Sequence, residues 1–195
     1  IAFLLSLSNK KSLIVTPTSL IYNWKNEFEK FAPDIKVLLI HGNKRDREKC
    51  FMELENFDVI LTTYGTLRND LDKYSEIKFD YCILDEAQNI KNPVALVTES
   101  VKSINAENKF ALTGTPMENN LLELWSIFDF IMPGYLYSKA KFQELFINKE
   151  DNVKNLKKLI KPFILRRSKK QVMKELPDKI EKNFFVELNK EQKKI

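Results

Sequence analysis

Two adjacent carboxylates, Asp85 and Glu86, close the apolar run Tyr81-Cys82-Ile83-Leu84 in the segment YCILDEAQ. An apolar run of this kind drives a strand into a core, and the acidic pair then emerges at its end. Hydrolysis of a nucleoside triphosphate uses two such groups. One fixes the shell of a magnesium ion that neutralises the β- and γ-phosphates. The other orients or deprotonates the attacking water. The assignment is Asp85 for the metal, through water, and Glu86 for the attacking water. A plainer reading stands beside it, in which Asp85 caps the next turn and Glu86 is solvated.

The segment KFALTGTPMENN offers hydroxyls at a comparable place. Gly114 permits a tight turn and Pro116 stops the ladder. Thr113, Gly114 and Thr115 can therefore hydrogen-bond the acidic pair on a neighbouring strand and sense a γ-phosphate. The alternative is an ordinary strand-to-helix turn with Asn119 or Asn120 as the cap. In SLIVTPTSLIYNW, residues Thr16, Pro17, Thr18 and Ser19 sit where a strand hands over to a helix N-terminus, which suits an anion or simple capping. The segment DVILTTYGTL repeats the theme with Thr62, Thr63 and Tyr64.

These groups need elements to hold them. The β-branched runs at 12–16, 36–40, 58–63, 81–86 and 109–114 predict buried strands, and spacing predicts helices over 18–32, 44–55, 93–104 and 119–131. The first helix carries Leu20, Ile21, Trp24, Phe28 and Phe31 on one face. Strands alternating with helices specify an α/β fold with a parallel sheet covered on both sides. Ligands of such sheets bind beyond the carboxyl ends of the strands, and those ends here are hydroxylic or acidic. After Pro133-Gly134 the sequence turns helical, amphipathic and Lys-rich, with one further strand candidate at FFVEL (184–188). A soft boundary falls near 134–138.

Composition removes several classes. Cys50 and Cys82 are the only cysteines and His41 the only histidine, so neither a disulfide framework nor a Cys/His metal centre can be built. No apolar run approaches the roughly 18 residues of a membrane span, and no membrane partner is expected. The opening IAFLLSLS lacks the basic flank and cleavage site of a secretory signal, which with the cysteine count favours an intracellular, reducing setting. Charge is uneven. Residues 1–140 hold 16 Lys and Arg against 19 Asp and Glu, whereas residues 141–195 hold 16 against 8. A basic segment after a near-neutral body suits a polyanion, or is a solvated helical surface. Arg166 and Arg167 follow the apolar PFIL, and either an ion pair with a carboxylate or a phosphate contact is open to them. Lys169, Lys170 and Lys174 read as solvated. His41 reads as a turn or core residue, and Trp24 and Trp125 read as core packing.

In order and content, the strand-Thr-Pro block with Trp24, the Thr62-Thr63-Tyr64 block, the DEAQ block and the Thr-Gly-Thr-Pro block resemble motifs Ia, Ib, II and III of helicase superfamily two. DEAQNIKNP (85–93), TGTPMENNLLELWSIFDFIMPGYL (113–136) and PFILRRSKKQVMKELPDKIE (162–181) resemble its Swi/Snf-related branch in particular. The resemblance spans nearly the whole chain. It implies a RecA-like first lobe of a double-stranded-DNA translocase that uses ATP and Mg2+ and works with a second RecA-like lobe. It divides the chain into a partial lobe (1–136), a helical basic segment (137–182) and the start of a connection (183–195). It implies catalytic roles for Asp85 and Glu86, with Gln88 coupling nucleotide state to the second lobe. It implies backbone contacts with DNA from Thr16, Pro17, Thr62, Thr63 and Tyr64, with Asn89, Lys91, Arg166 and Arg167 as further candidates. Such contacts position the protein without reading sequence. A cytoplasmic or nucleoid location is implied, nuclear in a eukaryote.

The family's phosphate-binding Gly-x-Gly-Lys-Thr is missing, since none of Gly42, Gly65, Gly114 and Gly134 lies in such a pattern. The chain is therefore expected to be a fragment that turns over ATP negligibly alone and is prone to aggregate unless other residues complete its sheet. Two rivals remain: another superfamily-two helicase, acting on RNA or of restriction type, and a non-catalytic nucleic-acid-binding module.

Overall fold

A computed structural model describes residues 1–6, 10–114, 121–147 and 149–167. Five strands, β1 (Ser12–Thr16), β2 (Val37–Ile40), β3 (Val59–Thr63), β4 (Phe79–Leu84) and β5 (Ala106–Ala111), form one parallel sheet in the order β2-β3-β1-β4-β5. The helices are α1 (Ala2–Leu5), α2 (Ile21–Phe31), α3 (Lys44–Met52), α4 (Tyr64–Asn69), α5 (Leu71–Ser75), α6 (Leu96–Lys102), α7 (Leu121–Ile131), α8 (Lys139–Phe146) and α9 (Glu150–Ile160). The chain divides into two compact units, residues 1–153 and 154–195, and the sheet with α1 to α8 belongs to the first.

β1 shows why this sequence becomes a two-sided sheet. Its five residues are all buried, and successive side chains of a strand point to opposite faces. Leu13 and Val15 enter a core shared with Tyr64 and Leu67 of α4, Val101 of α6, and Ile127 and Phe130 of α7. Ile14 enters the other core, with Leu4 of α1 and Ile21 and Phe28 of α2. The parallel α/β architecture read from the alternating runs is the one observed.

Four details differ from the periodicity. β4 runs over 79–84 and β5 over 106–111, two to three residues earlier than the apolar runs suggest. Pairing begins at Phe79, whose N–H reaches Asn105, and ladder geometry, not hydropathy, sets the limits. Asp85, Glu86, Thr113 and Gly114 consequently lie beyond the strands. Phe31 is 55% exposed although it shares the apolar stripe of α2. At 3.6 residues per turn the stripe drifts from Ile21 and Phe28 until Phe31 passes its edge, where Lys30 Nζ lies 4.9 Å from its ring. The short helices α4 and α5 were not visible as periodic patterns, because six and five residues give too few turns to show one. Helix formation over 18–32 is delayed to Ile21 by a turn in which Leu20 N–H donates to the Pro17 carbonyl at 3.0 Å.

Past Pro133-Gly134, α8 belongs to the first unit, with Phe142 and Phe146 buried. Thr115, Lys169, Lys170, Lys174 and the strand candidate 184–188 lie outside the described residues. Among the described residues, no helix is long and apolar enough to cross a membrane.

Candidate functional site

At the C-terminal edge of the sheet, β4 stops at Leu84 and the chain turns. Asp85 keeps a ladder bond, its N–H donating to the Val15 carbonyl at 2.8 Å. The Tyr64 hydroxyl donates to the Asp85 carbonyl at 2.7 Å. Burial, and next the neighbouring Asp85, push the Tyr64 hydroxyl well above its ordinary pKa, so it remains a donor. The main chain of Asp85 is thus pinned from two sides, by β1 and by α4.

The side chain is pinned as well. Oδ1 accepts the Glu86 N–H at 3.0 Å. Oδ2 accepts the indole N–H of Trp24 at 2.7 Å and the Thr16 hydroxyl at 3.3 Å. Sequence reasoning assigned Trp24 to packing alone. The ring does pack, 6.1 Å from that of Phe28, but its one polar atom faces Asp85.

Glu86 has φ 50° and ψ 54°, in the left-handed region where a non-glycine residue costs roughly 1–3 kcal/mol. Its carbonyl accepts both the N–H and the side-chain amide of Asn89, at 3.0 and 2.8 Å. Its Oε2 accepts Gln88 Nε2–H at 2.7 Å, and Gln88 Oε1 accepts the Thr113 hydroxyl at 2.8 Å. The Ala87 N–H donates to the Leu112 carbonyl at 2.9 Å, which locks the turn against the end of β5. Asp85, Glu86, Gln88, Thr113 and Thr16 form one connected polar group, and exposed Gly114 follows directly.

Other candidates are placed differently. Thr62 is fully buried; its hydroxyl donates to the Ile40 carbonyl at 3.0 Å and accepts the Tyr74 hydroxyl at 2.9 Å. Expected on a phosphate-facing rim, this side chain points into the core. Thr63, 2% exposed, caps α4 by accepting the Thr66 N–H at 3.2 Å, and the Tyr64 hydroxyl is spent on Asp85. Pro17 is partly exposed and Asn89 exposed at the same edge. Lys91 lies 3.9 Å from Glu123. Arg166 and Arg167 are exposed in the second unit.

One rim feature was missed. Arg47 of α3 grips Asp70 with two nitrogens and donates from Nη1 to the Gly42 carbonyl at 2.6 Å. It thereby ties the His41-Gly42 turn after β2 to the end of α4. A polar helix with no buried residue gave no apolar signal for that contact.

The SNF2-related domain model matches residues 3–195. The chain belongs to the SNF2-related family. An ATP-dependent helicase of Mycoplasma genitalium is 46% identical, covering 94% of this chain and 18% of that protein. The TATA-binding protein-associated factor MOT1 of Saccharomyces cerevisiae is 39% identical, covering 94% of this chain and 11% of MOT1. Among solved structures, the SWI2/SNF2 ATPase core of Sulfolobus solfataricus in complex with double-stranded DNA superposes with a TM-score of 0.78 at 41% identity, over 93% of this chain and 39% of that one. The chain therefore spans under a fifth of the length of these two curated relatives. As a SNF2-related chain it carries the RecA-like α/β lobe of an ATP-dependent helicase family, and the polar group around Asp85 and Glu86 sits at its sheet edge.

Proposed function

We propose that this SNF2-related chain is the first lobe of an ATP-driven motor that moves along double-stranded DNA. The observation that carries the reading is the division of labour at Asp85 and Glu86. One carboxylate is held rigid by three donors. The other is linked through Gln88 to the adjoining strand end at Thr113. That arrangement suits a fixed cation-holding group beside a group that takes a proton from water.

The donor set fits Mg2+. Among the described residues no cluster of three or more His, Cys, Asp or Glu could hold a metal by itself, whereas one or two carboxylates plus substrate phosphates are how Mg2+ is usually bound. Asp85 would hold the ion with Glu86 beside it, and Mg2+ supplies neutralisation of charge on the phosphates. Glu86 orients the attacking water and accepts its proton. Gln88 keeps the Glu86 carboxylate aimed and reports its state to Thr113, which with Gly114 would sense the γ-phosphate. At the sheet edge Pro17, Asn89 and Lys91 would supply sequence-tolerant phosphate contacts whose binding weakens steeply with salt, and the exposed Arg166 and Arg167 of the second unit would supply further ones of their own.

Similarity to a SWI2/SNF2 core solved with double-stranded DNA favours duplex DNA over RNA as the track. The working unit is the full-length protein with a second RecA-like lobe, inside the cell where ATP and DNA meet. Residues 1–195, with no glycine in a phosphate-loop pattern, would turn over ATP negligibly alone, because positioning and charge stabilisation supply nearly all the catalysis of phosphoryl transfer.

The test is ATP turnover by the full-length protein alone, with duplex DNA and with single-stranded RNA, beside its Glu86→Gln variant. Duplex-stimulated turnover that falls by roughly 10²–10⁴-fold in the variant, with nucleotide and DNA binding intact, supports the motor. Stimulation by RNA alone selects an RNA helicase. DNA binding without turnover selects a binding module.

A further inference from the structure

We infer that Trp24 is a positioning residue for Asp85, using its indole N–H to set the direction in which that carboxylate meets a divalent cation. This rests on the reading of Asp85 as the metal-holding group. Four observations lead to it. The indole N–H is the only polar atom of Trp24, and it donates to Asp85 Oδ2 at 2.7 Å. The Thr16 hydroxyl reaches the same oxygen at a weaker 3.3 Å. The ring that carries the N–H packs against the α2 core beside Phe28, which holds the donor next to Asp85. Asp85 itself stands past the last residue of β4, so its rotamer is set by the hydrogen bonds its two carboxylate oxygens accept, of which the indole bond is the shortest.

The choice of donor matters chemically. A Lys or Arg at this place would neutralise the carboxylate and compete with the cation. A neutral N–H occupies one lone pair, selects one rotamer and leaves the negative charge for the metal. Trp24 is the largest neutral single donor available, and its reach lets a residue on α2, 61 positions earlier in the chain, act on the sheet edge. Hydrogen bonds to metal-holding carboxylates are worth about 10–100-fold in metal affinity, so their loss is measurable.

The experiment uses the full-length protein with ADP and Mn2+, titrating bound Mn2+ by electron paramagnetic resonance. Trp24→Phe keeps a ring in the α2 core and removes the donor. A second variant replaces Trp24 with benzothienylalanine, which keeps the bicyclic shape and exchanges N–H for sulfur. The expected result is a rise in the half-saturating Mn2+ concentration of about 10-fold or more in both variants, with metal-free ADP binding unchanged. Benzothienylalanine is expected to leave the melting temperature unchanged. Mn2+ affinity unchanged with benzothienylalanine overturns the inference and returns Trp24 to packing alone, even if Trp24→Phe weakens binding through a loosened core. If the unaltered protein with ADP binds no Mn2+, the metal role of Asp85 falls and this inference falls with it. Unaltered Mn2+ binding without ATP turnover overturns only the motor reading.

Discussion

Thr113 is joined to Glu86 through one side chain: its hydroxyl donates to Gln88 Oε1 at 2.8 Å, and Gln88 Nε2 donates to Glu86 Oε2 at 2.7 Å. The amide is used at both ends, so its orientation is set by the pair it connects. Thr113 stands just past β5 and Glu86 just past β4, and the relay therefore spans two neighbouring strand ends.

Breaking the relay should disorder the Glu86 carboxylate without unfolding the sheet. A hydrogen bond to a charged group contributes about 1.5–3 kcal/mol, which as lost transition-state stabilisation corresponds to roughly 10–150-fold. Gln88→Ala is expected to lower duplex-stimulated ATP turnover of the full-length protein by that order. Thr113→Val, which frees the amide but leaves it in place, should cost less. Gln88→Glu sets like charges together and should be the most damaging. Equal turnover in all three variants would sink the relay.

Arg47 and Asp70 form a nearly buried pair, with side chains 12% and 7% exposed. Removing one partner of such a pair strands a charge and costs about 3–5 kcal/mol. Arg47→Met and Asp70→Leu should each lower the denaturation midpoint sharply. The Arg47→Met/Asp70→Leu double variant should recover much of the loss. Guanidinium melts arranged as a double-mutant cycle measure the coupling, and additive losses would show that the pair braces nothing.

Asp80 gives a pH signature. Its carboxyl accepts Lys10 Nζ at 2.9 Å and the Lys11 N–H at 2.7 Å. These contacts, Lys10 first and the backbone second, hold its pKa below the ordinary carboxylate range. A depressed folded-state pKa stabilises fully above the unfolded value and ceases to do so as pH falls through the folded one. The pair sits at the surface, so solvent screening keeps the effect small. Asp80→Asn should therefore melt slightly below the unaltered protein at pH 6–7, and the gap should close as pH drops below 4. A gap that widens in acid would contradict the assignment.

The α/β class was legible because strands buried on both faces carry unbroken apolar runs, as Leu13–Val15 and Val59–Leu61 are. The Asp85-Glu86 turn and its neighbour at Thr113 were legible for the same reason, since ligands meet parallel sheets at strand ends. What sequence could not supply is the direction of single polar atoms. Nothing in the residue type distinguishes Thr62, facing the core beneath Tyr74, from Thr16, facing Asp85; the pleat decides. Trp24 meets Asp85 only because β1 and β4 are neighbours, a relation that no local pattern contains. Strand limits at β4 and β5 shifted because hydrogen-bond register, not hydropathy, ends a ladder.

The left-handed backbone at Glu86 sets stability and chemistry against each other. Glycine adopts φ 50° without a steric penalty, so Glu86→Gly removes strain from the turn while deleting the carboxylate proposed to handle water. A library selected only for heat resistance would drift toward losing this residue. Its presence at a position better suited to glycine is a sign that the turn was kept for what the side chain does.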